Sequence, residues 1–245
     1  MNRTSITGLA CLLAVALTAC AGGGEPPAPS GSPASAPLEA RKEPANSMSV
    51  SPPLSPAPVS AEALAAYRAL LAGEPGALDR PPEGLELHQV TLPPAEELEY
   101  VLLDLDGDGG AELVVQMVAQ PHQFNAVFHY GDGELSCWQY DIMEMSCRDY
   151  PLGDGAMVRQ YDTGTGPNRY SNLYTVFRYL PDGETEECAS LAVHQDTQED
   201  GTEVFTYLVD DAEVDQDTFA AEFEELVGSR LLSLEDWTPA TERPG

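Results

Sequence analysis

Positive charge is scarce in this chain: 11 Lys and Arg stand against 41 Asp and Glu in 245 residues, a formal net charge of −30. Such a surface repels phosphate backbones and anionic headgroups, which excludes nucleic acid as a partner and membrane contact through basic side chains. Histidine is sparse as well. His88, His122, His129 and His194 form no H-E-x-x-H, and no G-x-S-x-G nucleophile elbow is present, so the usual zinc-hydrolase and serine-hydrolase signatures are missing. His122 and His129 read as surface or strand residues. The apolar stretch from Ile6 to Leu17 is shorter than the roughly 20 residues that span a bilayer. Cysteine is limited to Cys11, Cys20, Cys137, Cys147 and Cys188.

What the N-terminus does contain is a short positive start at Arg3, the apolar stretch, and Leu17-Thr18-Ala19-Cys20. This segment resembles a bacterial lipoprotein signal peptide with its lipobox. The resemblance implies cleavage before Cys20, acylation of Cys20, and residence on the extracytoplasmic face of the bacterial cell membrane, with residues 1–19 discarded. Cys11 leaves with them. Losing Arg3 and no acid takes the formal charge from −30 to −31. Residues 20–59 then form a spacer dominated by Pro, Ala, Ser and Gly, as in Glu25-Pro26-Pro27-Ala28-Pro29, without an aromatic residue to build a core. Extended at ~3.1 Å per residue, it reaches at most on the order of 100 Å. The remainder is long and apolar enough for one domain, residues 60–238, followed by a disordered tail at 239–245.

Within the domain, Ser60 is placed to cap a helix carrying Leu64, Tyr67, Leu70 and Leu71 and stopped by Gly73. From Glu99 onward the pattern changes to short β-type runs: 100–105, 113–118, 126–130, 135–140, 157–161, 173–180, 188–194 and 204–209. Gly131-Asp132-Gly133, Pro181-Asp182-Gly183 and Asp200-Gly201 supply hairpin turns between several of them. A terminal helix follows Asp215, bears Phe219, Phe223, Leu226 and Val227, and ends at Gly228. The expected class is α+β: an antiparallel meander forming one twisted sheet, flanked by an N-terminal and a C-terminal helix.

The chemistry concentrates in Asp104-Leu105-Asp106-Gly107-Asp108-Gly109-Gly110-Ala111-Glu112. Numbered from its first ligand, Asp104, Asp106 and Asp108 occupy positions 1, 3 and 5, with Gly109 at the sharp turn. Gly110 offers its carbonyl at 7, and Glu112 reaches position 9 directly or through water. Hard oxygen donors on a flexible loop favour calcium. Val115 stands where an EF-hand has its bidentate Glu, and both flanks read as strands, so the loop is not an EF-hand. Residues 103–115 are similar to the strand-flanked calcium loop of FG-GAP repeats. With one copy present, the resemblance implies a structural calcium site and no propeller. A wider resemblance runs from Tyr100 to Val115, through Tyr130-Gly131-Asp132-Gly133, to Val214-Asp215-Gln216-Asp217-Thr218-Phe219, Leu226 and Trp237. It is to clostridial-type surface lipoproteins, a group with no established activity to carry over.

Two functional readings follow. The first is a non-enzymatic binding or structural module held out from the membrane by Cys20, monomeric, with a cell-wall or protein ligand; Tyr140, Tyr150, Tyr161 and Tyr170 offer a contact surface. No catalytic residue is assigned in it. The second is a surface hydrolase, since Asp162-Thr163-Gly164-Thr165 matches the D-T-G-[ST] of aspartic proteases, which pair two such aspartates across a dimer when only one copy is present. Cys137 and Cys147 are close enough in sequence to close a short disulfide loop worth about 3 kcal/mol, though an anaerobic or wall-facing setting leaves all three remaining thiols reduced.

Overall fold

The computed structural model describes residues 57–120, 124–142, 147–166 and 168–244. His122, the signal peptide, Cys20 and the spacer up to residue 56 lie outside the described residues. The Ser60 hydroxyl oxygen accepts from the Ala63 N–H (3.0 Å) and opens α1 (Ala61–Leu71), which buries Ala63, Tyr67, Leu70 and Leu71. Four strands follow: β1 (Leu98–Leu103), β2 (Glu112–Met117), β3 (Phe124–Gly131) and β4 (Glu134–Ile142). Between Ile142 and Cys147 the chain changes sheet. Six more strands then run in sequence: β5 (Cys147–Pro151), β6 (Met157–Gly166), β7 (Arg169–Tyr179), β8 (Thr185–Thr197), β9 (Glu203–Val209) and β10 (Ala212–Val214). Next comes α2 (Gln216–Leu226), capped where the Asp215 carboxylate accepts from the Thr218 N–H (2.7 Å), and then a short β11 (Thr238–Pro239).

The domain is therefore mostly antiparallel β with few helices, and the strands form two sheets. Their orders are β11-β1-β2-β3-β4 and β10-β9-β8-β7-β6-β5. This corrects the expectation of one twisted sheet, and the reason lies in β2 and β3. Residues 112–116 and 124–128 are buried at every position, so both faces of the first sheet are covered. On one face α1 packs Tyr67, Leu70 and Leu71 against Leu98, Leu113, Val115, Phe124 and Phe128. On the other, Val101, Leu103, Leu105, Val114 and Val127 meet Met157, Phe177 and Tyr179 of the second sheet. The far face of that second sheet receives Phe219 and Val227 from the α2 region over Val158, Val176, Ala189 and Leu191. The layers run helix, sheet, sheet, helix.

A polar network also crosses between the sheets. Asp149 of β5, with its side chain 0% exposed, accepts two bonds from the Arg159 guanidinium (2.8 and 2.7 Å) and one from Gln139 Nε2 (2.6 Å). Gln139 Oε1 in turn accepts from the Tyr179 hydroxyl (2.6 Å), and Asn125 Nδ2 donates to the Asp149 carbonyl (2.8 Å). Every member is paired, which is the condition for burying such a charge at tolerable cost. β5 escaped the sequence reading because Cys-Arg-Asp-Tyr-Pro puts the buried Asp149 where an alternating strand would show an apolar residue.

The C-terminal residues correct a second expectation, that of a disordered tail at 239–245. Pro239 pairs with Glu99 of β1, Ala240 is buried and donates its N–H to the Leu98 carbonyl (2.9 Å), and the Glu242 carbonyl accepts from the Tyr100 hydroxyl (3.1 Å). Arg68 Nε of α1 reaches the Pro244 carbonyl (2.6 Å). These contacts stitch the chain end over the first sheet.

Asp154, in the turn between β5 and β6, gathers Arg230 (2.8 and 2.7 Å) and Arg178 (2.9 Å). Burial pushes its carboxyl pKa up, but the Arg230 hydrogen bond and charge, aided by the Ala156 N–H and Arg178, hold it below the ordinary range. A carboxyl depressed on folding stabilises the protein above the unfolded pKa near 4, and that stability is lost as pH falls through the folded value. The site is half exposed, so solvent screening limits its worth. Asp154→Asn is expected to cost about 1 kcal/mol in urea unfolding at neutral pH and nearly nothing near pH 2.

Candidate metal centre

The acidic loop connects β1 to β2, and the Leu103–Glu112 pair closes its neck. Three anchors fix it. The Leu105 side chain is fully buried between the sheets, which turns the flanking Asp104 and Asp106 away from that core. At the exit, the buried Tyr67 hydroxyl of α1 donates to the Ala111 carbonyl (2.8 Å). On the side of the second sheet, Gly155 lies so close to the Asp104 carbonyl that a Cβ there would overlap its oxygen. Within the loop, Gly107 and Gly109 take positive φ (78° and 90°), a conformation that lets the chain curl and aim its N–H groups inward.

Those N–H groups meet the carboxylates. Asp104 accepts from Gly107 (2.7 Å) and Gly109 (3.2 Å), Asp106 from Asp108 (3.0 Å), and Asp108 from Gly110 (2.5 Å). The outcome is a group in which Asp104, Asp106 and Asp108 each offer a carboxylate oxygen within 4.8 Å of the others. Asp106 Oδ2 is buried and has no hydrogen-bond partner among the described residues. Burial is the main cause of an Asp106 pKa above the usual carboxylate value; the charges of Asp108 and Asp104 add to it, against relief from the Asp108 N–H and His129. Such an arrangement can hold a metal ion. Gly110 enters through its N–H to Asp108.

Glu112 sits differently from the other three acids. Its side chain is only 2% exposed, its Oε2 accepts from the Leu105 N–H (2.7 Å), and its Oε1 lies 3.0 Å from His129 Nδ1. Burial raises the Glu112 pKa, and the His129 and Leu105 bonds only partly offset it. For His129, burial pulls down, but the hydrogen bond and charge of Glu112, with Asp106 and Asp108, leave it above the ordinary histidine value. Asp106, Glu112 and His129 form a second group of possible ligands within the same 4.8 Å limit, and Asp106 belongs to both groups. His129 is the functional candidate that the sequence reading passed over as a plain strand residue. It is on a strand, but only the β2–β3 pairing brings it to Glu112. It is further held by stacking on Trp138 at 4.3 Å between ring centroids, and Trp138 stacks on Tyr179 in turn (5.2 Å).

Tyr67 links this centre to α1. Burial, then the Glu112 charge, drive its pKa well above the normal tyrosine value, so the hydroxyl stays a donor to Ala111. Tyr67→Phe removes one buried hydrogen bond and is expected to lower stability by about 1 kcal/mol in urea unfolding without a change in m-value.

Asp162, on β6, accepts from Gln160 Nε2 (3.1 Å) and lies 3.5 Å from an Arg148 nitrogen. A guanidinium thus balances its charge, unlike the proton-sharing pair of an aspartic protease. No disulfide joins Cys137, Cys147 and Cys188, and burial pushes the Cys137 thiol up to about 12. Tyr140 exchanges hydrogen bonds with the Thr91 backbone (2.7 and 3.0 Å), whereas Tyr161 and Tyr170 remain exposed. Among the described residues no helix is long and apolar enough to cross a membrane. Set against known proteins, the chain matches no protein-family model, no curated protein and no solved structure.

Proposed function

We propose that the mature chain is a bacterial surface lipoprotein: an α+β domain, anchored by acylated Cys20 and spaced from the membrane by residues 20–59, that serves as a non-enzymatic binding or structural module clamped by calcium. The observation that carries the metal part is the unpartnered Asp106 Oδ2 inside a triad of carboxylates. A buried acceptor without a donor costs about 1–3 kcal/mol, more when charged, and a cation coordinated by Asp104, Asp106 and Asp108 removes that cost. An all-oxygen donor set suits calcium over softer metals. Glu112 fixes Leu105 and in this reading reaches the ion at position 9, directly or through water, while the Gly110 carbonyl completes the shell. The reading as an exported lipoprotein is supported by Leu17-Thr18-Ala19-Cys20 and the Pro-rich spacer.

Expression in a bacterial host tests the anchor. The chain is expected in the membrane fraction with a diacylglyceryl group on Cys20 by mass spectrometry, and Cys20→Ser is expected to remain unlipidated. Recovery of the wild-type chain in the soluble fraction, with an unmodified Cys20, overturns that part.

A further inference from the structure

We infer that Asp106, Glu112 and His129 bind a first-row divalent metal of borderline softness, such as zinc, beside the calcium held by Asp104, Asp106 and Asp108, with Asp106 shared between the two ions. The inference rests on the metal-clamp reading above for Asp106, and it takes up the imidazole that calcium leaves unused.

Strand pairing builds this group. Glu112 of β2 and His129 of β3 lie one position beyond the Leu113–Phe128 pair, and they share the face of Val114 and Val127, which is turned to the second sheet. Side-chain exposure there falls to 2% for Glu112 and 14% for His129. The imidazole is not free to turn. One flat side stacks on Trp138 (4.3 Å, 11° between planes), and Nε2 sits so close to Gly131 that a Cβ at that position would overlap it. Nδ1 is left facing Glu112 Oε1 at 3.0 Å. The Leu105 N–H meanwhile holds the other Glu112 oxygen (2.7 Å), the kind of outer contact that orients a metal-binding carboxylate.

The donor types select the metal. Calcium and magnesium take oxygen, whereas an imidazole nitrogen with two carboxylates suits zinc and its neighbours. Spacing agrees: two donors on one zinc ion, each bonded at about 2.1 Å, stand about 3.0–3.4 Å apart, and Nδ1 and Oε1 already lie 3.0 Å from each other. An ion there takes the place of the proton between them and leaves the imidazole protonated at Nε2. Asp106 supplies the third donor, and its Oδ2 is the buried oxygen that no hydrogen-bond donor reaches among the described residues. Charge calls for a second cation as well. Asp104, Asp106, Asp108 and Glu112 carry four negative charges, and none of them is ion-paired to Lys or Arg among the described residues. One calcium offsets two of the four, and one zinc offsets the rest.

The test uses the mature chain carrying Cys20→Ser, labelled with nitrogen-15 and titrated with zinc chloride to about 1 mM, with and without about 5 mM calcium, while NMR follows the histidine ring nitrogens. Zinc is expected to shift Nδ1 of His129 before the nitrogens of His88 or His194, with a Kd of about 10 μM or tighter, and to do so with calcium present. His129→Asn puts an amide N–H where Nδ1 stands, so Glu112 keeps a donor; it is expected to weaken zinc about 100-fold. His88→Gln, which removes the exposed histidine beside Glu86, is expected to bind zinc like wild type. The inference is overturned if the His129 ring does not respond to zinc, if His129→Asn binds zinc like wild type, or if His88→Gln abolishes binding. It is overturned as well if calcium displaces zinc from His129, because the two ions then compete for one site. An unresponsive His129 with calcium binding intact leaves the calcium reading standing, whereas zinc on His129 with no calcium binding overturns that reading and leaves the His129 site.

Discussion

Calcium is expected to raise the melting temperature of the mature chain by about 5–10 °C when its concentration is near 100 times the dissociation constant. That excess is worth about 2.7 kcal/mol of linkage, and a domain of this size gains about 2–4 °C per kcal/mol. The informative variant is Asp106→Asn. It keeps the shape of the side chain and removes the buried charge that repels Asp104 and Asp108. In the absence of calcium it is therefore expected to melt at or above the wild-type temperature, and with calcium to show almost no rise. A variant that merely damaged the fold would melt lower in both conditions. The pH dependence follows from the same groups. Asp106 and Glu112 bind protons more tightly than ordinary carboxyls, so protons compete with the metal at mild acidity. The calcium-induced rise is expected to shrink as pH falls from neutrality, as it must when ligands are deprotonated on binding. Melts followed by circular dichroism, with and without chelator, check both expectations.

Gly155→Ala is expected to be the more damaging change, costing about 2–4 kcal/mol. Gly155 has φ +81°, which an L side chain rarely adopts, and its added Cβ has the Asp104 carbonyl in its way. The conformational part alone is worth about 1 kcal/mol. The rest comes from moving backbone against backbone, since neither the β5–β6 turn, pinned by Asp154 to Arg178 and Arg230, nor the neck of the acidic loop yields easily. Gly201→Ala separates the two contributions, because Gly201 has nearly the same φ (82°) and nothing within 4 Å of the new atom. It is expected to cost about 1 kcal/mol. Calcium affinity is expected to fall in Gly155→Ala and stay unchanged in Gly201→Ala. Equal losses of stability in the two variants show that the contact with Asp104 contributes nothing.

These expectations show how unevenly the sequence discloses the molecule. Features decided by neighbouring residues are open to inspection: Asp215 capping α2, the Asp132-Gly133 turn joining β3 to β4, and the alternation of Asp104, Asp106 and Asp108. Features decided by pairing across the chain are not. Nothing near His129 in the sequence marks it as the partner of Glu112, and nothing near Gly155 marks it as the stop against Asp104. The split into two sheets was hidden because β2 and β3 are apolar on both sides, a pattern that signals coverage of both faces without saying by what. β5 was hidden for the opposite reason, its buried Asp149 being paid for by Arg159, a residue ten positions later that only strand pairing brings alongside. The chain end at Thr238 and Pro239 is too short to show a period at all.

The metal clamp is the claim on which the functional account turns, and isothermal titration of calcium into the mature chain carrying Cys20→Ser tests it most directly. One calcium per chain is expected to bind wild type at neutral pH, and none to bind Asp106→Asn. No heat up to about 10 mM calcium, or the same isotherm in wild type and Asp106→Asn, contradicts the account.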